Sequence, residues 1–215
     1  MEKVVIIDYG MGNLHSVFSA LKQVDDGQRE LSISQNRDEI LAADKVIFPG
    51  QGAAADCMRA LQDLNLADLI GQLAEQKPFL GICMGMQVLL GCSEENDGTE
   101  CLGLYSGEVK NFSKEFKVRS ISPLKVPHMG WNNIRIKQAH PLWEGLESDS
   151  YFYFVHSYYV NPANDSLITG STDYGFEFAS VIASGKVFAM QCHPEKSGEN
   201  GLKLLHNFLQ WDGTV

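Results

Sequence analysis

The sequence predicts an α/β fold: three layers, with a mostly parallel central sheet flanked by helices and extended by antiparallel strands. Three observations predict it. The first half alternates short, continuous apolar runs with stretches of helical apolar spacing. The links between them are short, as in strand–helix–strand units. The second half turns to shorter, more polar, β-prone segments and a glycine hairpin turn.

Val4-Val5-Ile6-Ile7 is a continuous apolar run, the mark of a strand buried on both faces. Residues 13–24 place Leu14, Val17, Phe18 and Leu21 at helical spacing. Leu31-Ser32-Ile33 alternates as a strand does, and 38–43 reads as a short helix. Lys45-Val46-Ile47-Phe48 is a second buried strand, ending at Pro49-Gly50. Helical patterns fill 54–76. Pro78-Phe79-Leu80-Gly81-Ile82 is a strand followed at once by a helical run over 86–90. Over 104–126 and 132–137 the strands are shorter and more polar. Tyr151-Phe152-Tyr153-Phe154-Val155 is aromatic and β-prone. Val181-Ile182-Ala183 and Lys186-Val187-Phe188-Ala189-Met190 flank Ser184-Gly185 as a hairpin, and a helix covers 198–211. No repeat, low-complexity tract or linker interrupts the pattern, so residues 1–215 read as one domain.

The 215 residues are 44% hydrophobic and 20% charged, ordinary for a globular protein. A chain of this length buries roughly 70% of its unfolded surface and needs no covalent staples. Seventeen basic against 27 acidic residues give a net charge of −10, which argues against nucleic-acid or anionic-membrane partners. No apolar stretch approaches the ~20 residues that a spanning helix needs. The opening apolar run, closed by Asp8, is too short for a signal peptide. Five scattered cysteines, an odd number, point to free thiols in a reducing cytosol.

The most specific local signal is Gly81-Ile82-Cys83-Met84-Gly85. A nucleophile between two glycines, after a buried strand and before a helix, has the pattern of a nucleophile elbow. The turn is tight, and the free N–H groups of the helix start favour negative charge beside them. Without the glycines, Cys83 would read as a small buried hydrophobe. A cysteine nucleophile needs a base and the base an orienting group. Gln191-Cys192-His193-Pro194-Glu195 supplies both directly after a predicted strand. In an extended segment residues two apart point the same way, so Glu195 reaches back to the His193 ring. His15, His128, His140, His156 and His206 have no carboxylate so placed.

Pro49-Gly50-Gln51-Gly52 follows the strand ending at Phe48. Alone it reads as an ordinary strand–helix turn. Beside the elbow, the backbone of Gly50, Gln51 and Gly52 supplies one arm of an oxyanion hole and the Met84 N–H the other. Gly10-Met11-Gly12 fails as a dinucleotide fingerprint, because His15 stands at the third glycine position. No phosphate loop, Cys-x-x-Cys or His-x-x-x-His pair is present, so no metal and no cofactor are expected. Glu94, Glu95 and Asp97 read by themselves as a solvated acidic turn.

Taken together, Pro49-Gly50-Gln51-Gly52, Gly81-Ile82-Cys83-Met84-Gly85-Met86-Gln87 and His193-Pro194-Glu195 resemble the oxyanion loop, nucleophile motif and distal pair of the class I, triad-type glutamine amidotransferases. The resemblance runs from Tyr9 to the last helix and implies their flavodoxin-like fold. Tyr9-Gly10-Met11-Gly12-Asn13-Leu14, Pro127-His128-Met129-Gly130-Trp131-Asn132 and His193-Pro194-Glu195-Lys196-Ser197 resemble the branch of glutaminase subunits that serves histidine biosynthesis. That resemblance implies a glutaminase in which Cys83 forms a γ-glutamyl thioester and His193, oriented by Glu195, moves the protons. It implies that Gln87, Glu95, His156, Ser157 and Tyr158 hold glutamine, with Glu95 on its ammonium group. It implies a heterodimer with a (β/α)8-barrel cyclase subunit that receives the ammonia. Asn13, Pro127, His128, Met129, Gly130, Trp131 and Lys196 would lie at or near the contact face.

Cys192 departs from the family pattern, which has an aromatic residue before the histidine, and Asp25-Asp26-Gly27-Gln28-Arg29 is unusual before the second strand. Three other readings compete: another amidotransferase subunit, a stand-alone thiol hydrolase acting on γ-glutamyl substrates, and a non-catalytic module that keeps the fold. The Pro127–Asn132 stretch and Lys196-Ser197 argue against the first. Partner-independent activity would mark the second, and loss of the nucleophile the third.

Overall fold

A computed structural model describes residues 1–214. The chain opens with β1 (Glu2–Ile7), α1 (Leu14–Val24), β2 (Arg29–Ser34), α2 (Arg37–Leu41), β3 (Lys45–Gly50), α3 (Ala54–Asp63), α4 (Ala67–Gln76), β4 (Phe79–Cys83) and α5 (Met84–Gln87). Short strands β5 (Cys92–Ser93), β6 (Thr99–Glu100) and β7 (Gly107–Asn111) lead to α6 (Phe112–Val118). Then come β8 (His128–Ile136), β9 (Ser150–His156), β10 (Tyr158–Pro162), β11 (Ile168–Asp173), β12 (Glu177–Ser184), β13 (Val187–Met190) and α7 (Gly198–Gln210).

The sheet runs β2-β1-β3-β4-β13-β12-β10-β7-β5-β6, with β11, β8 and β9 branching from β12. From β2 to β13 every pairing is parallel. Beyond β13 the hairpin to β12 reverses direction, and β10 and β7 continue antiparallel. The expected parallel sheet with antiparallel additions is therefore the observed one.

Alternation along β1 shows why it needed an apolar run. Val4 and Ile6 pack on one face with Leu21 of α1 and Phe208 of α7. Val5 and Ile7 pack on the other with Leu61 of α3 and Leu69 of α4. Each fully buried aliphatic or phenyl side chain adds about 1.5–3 kcal/mol, so the central strands anchor both helical layers.

The helical patterns over 54–76 are two helices, parted where Asn65 adopts φ +54° and Leu66 N–H bonds back to Leu61 O at 2.8 Å, while two other expectations need correction. Asparagine tolerates the left-handed region better than other side chains. The segment 104–126 holds a helix as well as a strand. Asn111 caps α6 by accepting from Lys114 N–H at 3.2 Å, and Phe112 and Phe116, one turn apart, are buried. The run expected over 86–90 begins at Met84, so the helix follows Cys83 without a spacer. No described helix is long and apolar enough to cross a membrane.

Candidate active site

Parallel register places the carboxyl ends of β3, β4 and β13 side by side. Gly50 lies opposite Cys83, and Met190 opposite Ile82. Ligand sites of open α/β sheets form outside such strand ends.

Cys83 is the last residue of β4, with φ +56° and ψ −110°. A side chain at positive φ costs strain that the surrounding packing must hold. The flanking glycines exist because the elbow is pressed against its neighbours. A Cβ on Gly85 would stand 1.9 Å from the Phe48 carbonyl oxygen, and one on Gly81 2.9 Å from Ala189 Cβ. Met84 opens α5, so its N–H has no acceptor within the helix.

His193 follows β13. Its N–H donates to Tyr153 O at 2.9 Å. Ser197 Oγ donates to His193 O at 2.6 Å and accepts from Tyr153 N–H at 2.9 Å. The histidine backbone is thus fastened to β9. His193 Nδ1 meets Glu195 Oε1 at 2.9 Å, and the Glu195 side chain is 1% exposed. The route differs from the expected extended segment. Only His193 is extended, and Pro194–Lys196 form a 3-10 turn that swings Glu195 back to the ring. The carboxylate fixes the proton on Nδ1, and Nε2 is buried without a hydrogen-bond partner. Burial disfavours the imidazolium, but the Cys83 sulfur and Glu195 outweigh it and raise His193 to about 10.

One cavity of about 330 Å³ gathers Cys83, Met84, His193, Gln51 and Gly52 together with Gln87, Glu95, His156, Ser157 and Tyr158. Pro127 and Val155 complete its wall. Gly50 lies just beneath, where a Cβ would meet Tyr9 Oη at 2.4 Å, and Tyr9 Oη donates to Pro49 O at 2.9 Å. Tyr9 thereby ties the loop to β1.

Two residues expected to hold glutamine are already engaged. Glu95 Oε2 accepts the Ala54 N–H at the start of α3 at 2.7 Å, leaving Oε1 for a cation. His156 has both ring nitrogens taken, Nδ1 by Tyr158 O at 2.7 Å and Nε2 by His128 Nδ1 at 2.8 Å. Burial and the neighbouring His128 push it down to about 3, so it is neutral and shapes the wall without offering a polar atom.

The contact-face residues divide. Met129 and Trp131 alternate outward on β8, 59% and 56% exposed, beside the exposed Tyr151 of β9. Trp131 pairs with Tyr153, the residue that holds His193. Lys196 is exposed on the turn after the histidine, and Asn13 is half-buried before α1. Gly130 is half-buried between Met129 and Trp131. The period of two turns His128 inward, where it is 3% exposed and packs against Phe154 and Tyr174. Cys192 is fully buried, and burial pushes its thiol well up, as suits a packing residue.

Sequence reading gave no role to Tyr153, Ser197 or Gln191. Nothing local marks the first, since its contribution is a backbone carbonyl. Ser197 and Gln191 flank the histidine motif, and that adjacency was the available signal.

The chain matches the family described as glutamine amidotransferase class-I over residues 5–211. It is 50% identical over 213 residues to imidazole glycerol phosphate synthase subunit HisH of Methylococcus capsulatus, covering 99% of this chain and 98% of that one. It is 51% identical over 213 residues to the HisH subunit of Nitrosococcus oceani, covering 99% of each chain. Among solved structures, a glutamine amidotransferase superposes with a TM-score of 0.71 at 16% identity, covering 98% of this chain and 99% of that one. A chain of PurLQS from Thermotoga maritima superposes with a TM-score of 0.69 at 19% identity, covering 97% and 98%. These distant likenesses concern the fold.

Proposed function

The chain belongs to the class-I glutamine amidotransferase family, and from that membership we propose that it is the glutaminase subunit of imidazole glycerol phosphate synthase. Near-full-length identity of about half to subunits of that name supports the assignment. The observation that carries the chemistry is a single cavity holding Cys83 at a strained elbow and the unpartnered His193 Nε2.

Cys83 Sγ attacks the side-chain amide carbon of glutamine, its proton passing to His193 Nε2. The carbonyl oxygen gathers negative charge and takes N–H groups from Met84 and the 50–52 loop. His193 Nε2 passes a proton to the departing nitrogen, and ammonia leaves behind a γ-glutamyl thioester. His193 then takes a proton from water, which attacks the thioester and releases glutamate. Glu195 keeps the ring in one tautomer through both steps. Gln87 lines the same cavity and its buried Oε1 lacks a partner, an acceptor for the substrate amino group. Glu95 supplies the negative charge nearest that group.

A (β/α)8-barrel cyclase partner receives the ammonia. Its docking face is the outward side of β8 and β9 with Lys196 and Asn13. A free glutaminase would waste glutamine, so the 50–52 loop is the gate. Its glycines let a peptide turn an N–H into the hole only when the liganded partner is seated. One domain spans the chain, and a reducing cytosol suits its five free cysteines.

The test is glutamate release from glutamine by the purified chain with the cyclase subunit, with and without the cyclase's ribonucleotide ligand. Release that rises sharply only with the liganded partner supports the assignment. Brisk release by the chain alone, indifferent to the partner, would leave a stand-alone γ-glutamyl hydrolase instead.

A further inference from the structure

We propose that Gln191 positions the nucleophile, donating a side-chain hydrogen bond to Cys83 Sγ in an orientation that the Tyr158 carbonyl imposes. The inference rests on the reading of Cys83 as nucleophile.

The two ends of a glutamine amide have the same shape, so their identity is settled by their partners. Tyr158 O can only accept. Gln87 meets it at 3.2 Å, so the Gln87 group there is the NH2. That same NH2 meets Gln191 at 2.9 Å, so the Gln191 atom facing it is Oε1. The other end of Gln191 is then the NH2, and it lies 3.6 Å from Cys83 Sγ. Gln191 is fully buried, and its own N–H is tied to Ser180 O at 2.8 Å. Turning the amide over would set NH2 against NH2 and leave buried groups unpaired, which is costly without water.

The carbonyl's second acceptor site is filled as well. His156 Nδ1 donates to Tyr158 O, so His156 Nε2 accepts and His128 Nδ1 donates to it. His128 Nε2 then accepts from Asn132 Nδ2 at 3.2 Å. Burial holds His128 down to about 4 and His156 to about 3, so neither ring gains the second proton that would reverse the sequence. From Asn132 to Cys83 each donor and acceptor has one assignment.

Gln191 donates to the sulfur from 3.6 Å, alongside the charge interaction between Cys83 and His193. The glutamine therefore holds the Cys83 side chain before the substrate arrives. A donor here favours charge on sulfur and fixes its direction of attack, and it acts through Cys83 without touching glutamine.

Gln191→Met keeps the length of the side chain and removes the donor. Gln191→Glu keeps the shape and puts an acceptor against the sulfur. Both are measured in the complex with the cyclase subunit and its ligand, alongside thermal melting of each variant. The second readout is the pH profile of iodoacetamide alkylation at Cys83, followed by mass spectrometry of its peptide. The expected result for Gln191→Met is a kcat lower by about tenfold or more, with KM for glutamine within about threefold. Its alkylation profile moves to higher pH by about one unit, and that of Gln191→Glu moves further. Folded variants with wild-type profiles overturn the proposal, as does a rise in KM alone with the profile unmoved. If Gln191→Met fails to fold, Gln191→Glu decides. Glutaminase activity surviving in Cys83→Ala breaks the nucleophile reading itself. An inactive Cys83→Ala with unmoved Gln191 profiles breaks only the present proposal.

Discussion

His193 Nδ1 stands 2.9 Å from Glu195 Oε1, and the same ring leaves Nε2 free toward the cavity that holds Cys83. The contact depends on a single turn of 3-10 helix. Its closure is locked by Ser197, whose hydroxyl bonds the His193 carbonyl and takes the N–H of Tyr153.

Glu195→Gln should keep the fold and lose the tautomer control. The expected loss in glutamine-dependent kcat is about 10²–10³-fold, with little change in KM, because only proton transfer is affected. Steady-state kinetics of the complex measure it. A loss under threefold would mean that Glu195 does not orient the ring.

Gly85→Ala should destabilise far more than Gly10→Ala. The new methyl at 85 would fall 1.9 Å from backbone oxygen of Phe48, which cannot move without breaking β3 from β4. A Cβ on Gly10 meets nothing within 4 Å, and the cost there is the positive φ of +81°, about 1–2 kcal/mol. Urea unfolding should show a loss of about 3 kcal/mol or more for Gly85→Ala, or no soluble protein. Equal losses for the two variants would show that the elbow is looser than its packing implies.

Trp131→Ala should leave the melting temperature of the isolated chain unchanged within about 2 °C, since the indole is 56% exposed. Binding to the cyclase subunit should weaken by about 10–100-fold, the usual cost of truncating an aromatic anchor. Calorimetric titration checks this. Undiminished affinity would move the docking face away from β8.

Stability should peak near pH 6.5 and fall on both sides for different reasons. Burial lowers His128 and His140 from 6.5 to about 4, and His156 to about 3. The unfolded chain therefore binds protons at these rings first, and stability falls as pH drops from about 6.5 toward 4, by up to ~1.4 kcal/mol per ring per pH unit. His193 is held up at about 10. Below about pH 6.5 it is protonated folded or unfolded and its contribution is complete. As pH rises toward 10 the folded state alone keeps the proton, and that stability is lost. Urea midpoints at pH 5, 6.5 and 9 test both arms. His193→Asn should remove the alkaline fall and keep the acid one; an alkaline fall as steep as wild type would refute the assignment.

Much of the fold was legible because the central strands are buried on both faces. Val4–Ile7, Lys45–Phe48 and Phe79–Ile82 admit few polar residues, so they stand out as apolar runs. The short elements were not legible. The seven-residue α6 rests on one cap and two phenylalanines, while β10 pairs with β7 and β11 with β8, both far earlier in the chain. Within the site, Cys83 was legible from its glycines, and the His193–Glu195 pair from spacing. Gln191 was in view beside the histidine but without a role, because its amide acquires a direction only when Gln87 and Tyr158 arrive from other elements.

The sequence alone determined the strand–helix alternation and the elbow, through local rules of spacing, turn sterics and burial. Family likeness then named the chemistry. The tertiary structure decided which of those residues face one cavity, that His128 turns inward while Trp131 turns out, and which way the Gln191 amide points. Side-chain period is local and can be read along a chain. A hydrogen bond's direction and a cavity's wall depend on partners up to about a hundred residues away, as Gln87 and Gln191 are. They are fixed only when parallel register sets the strand ends side by side.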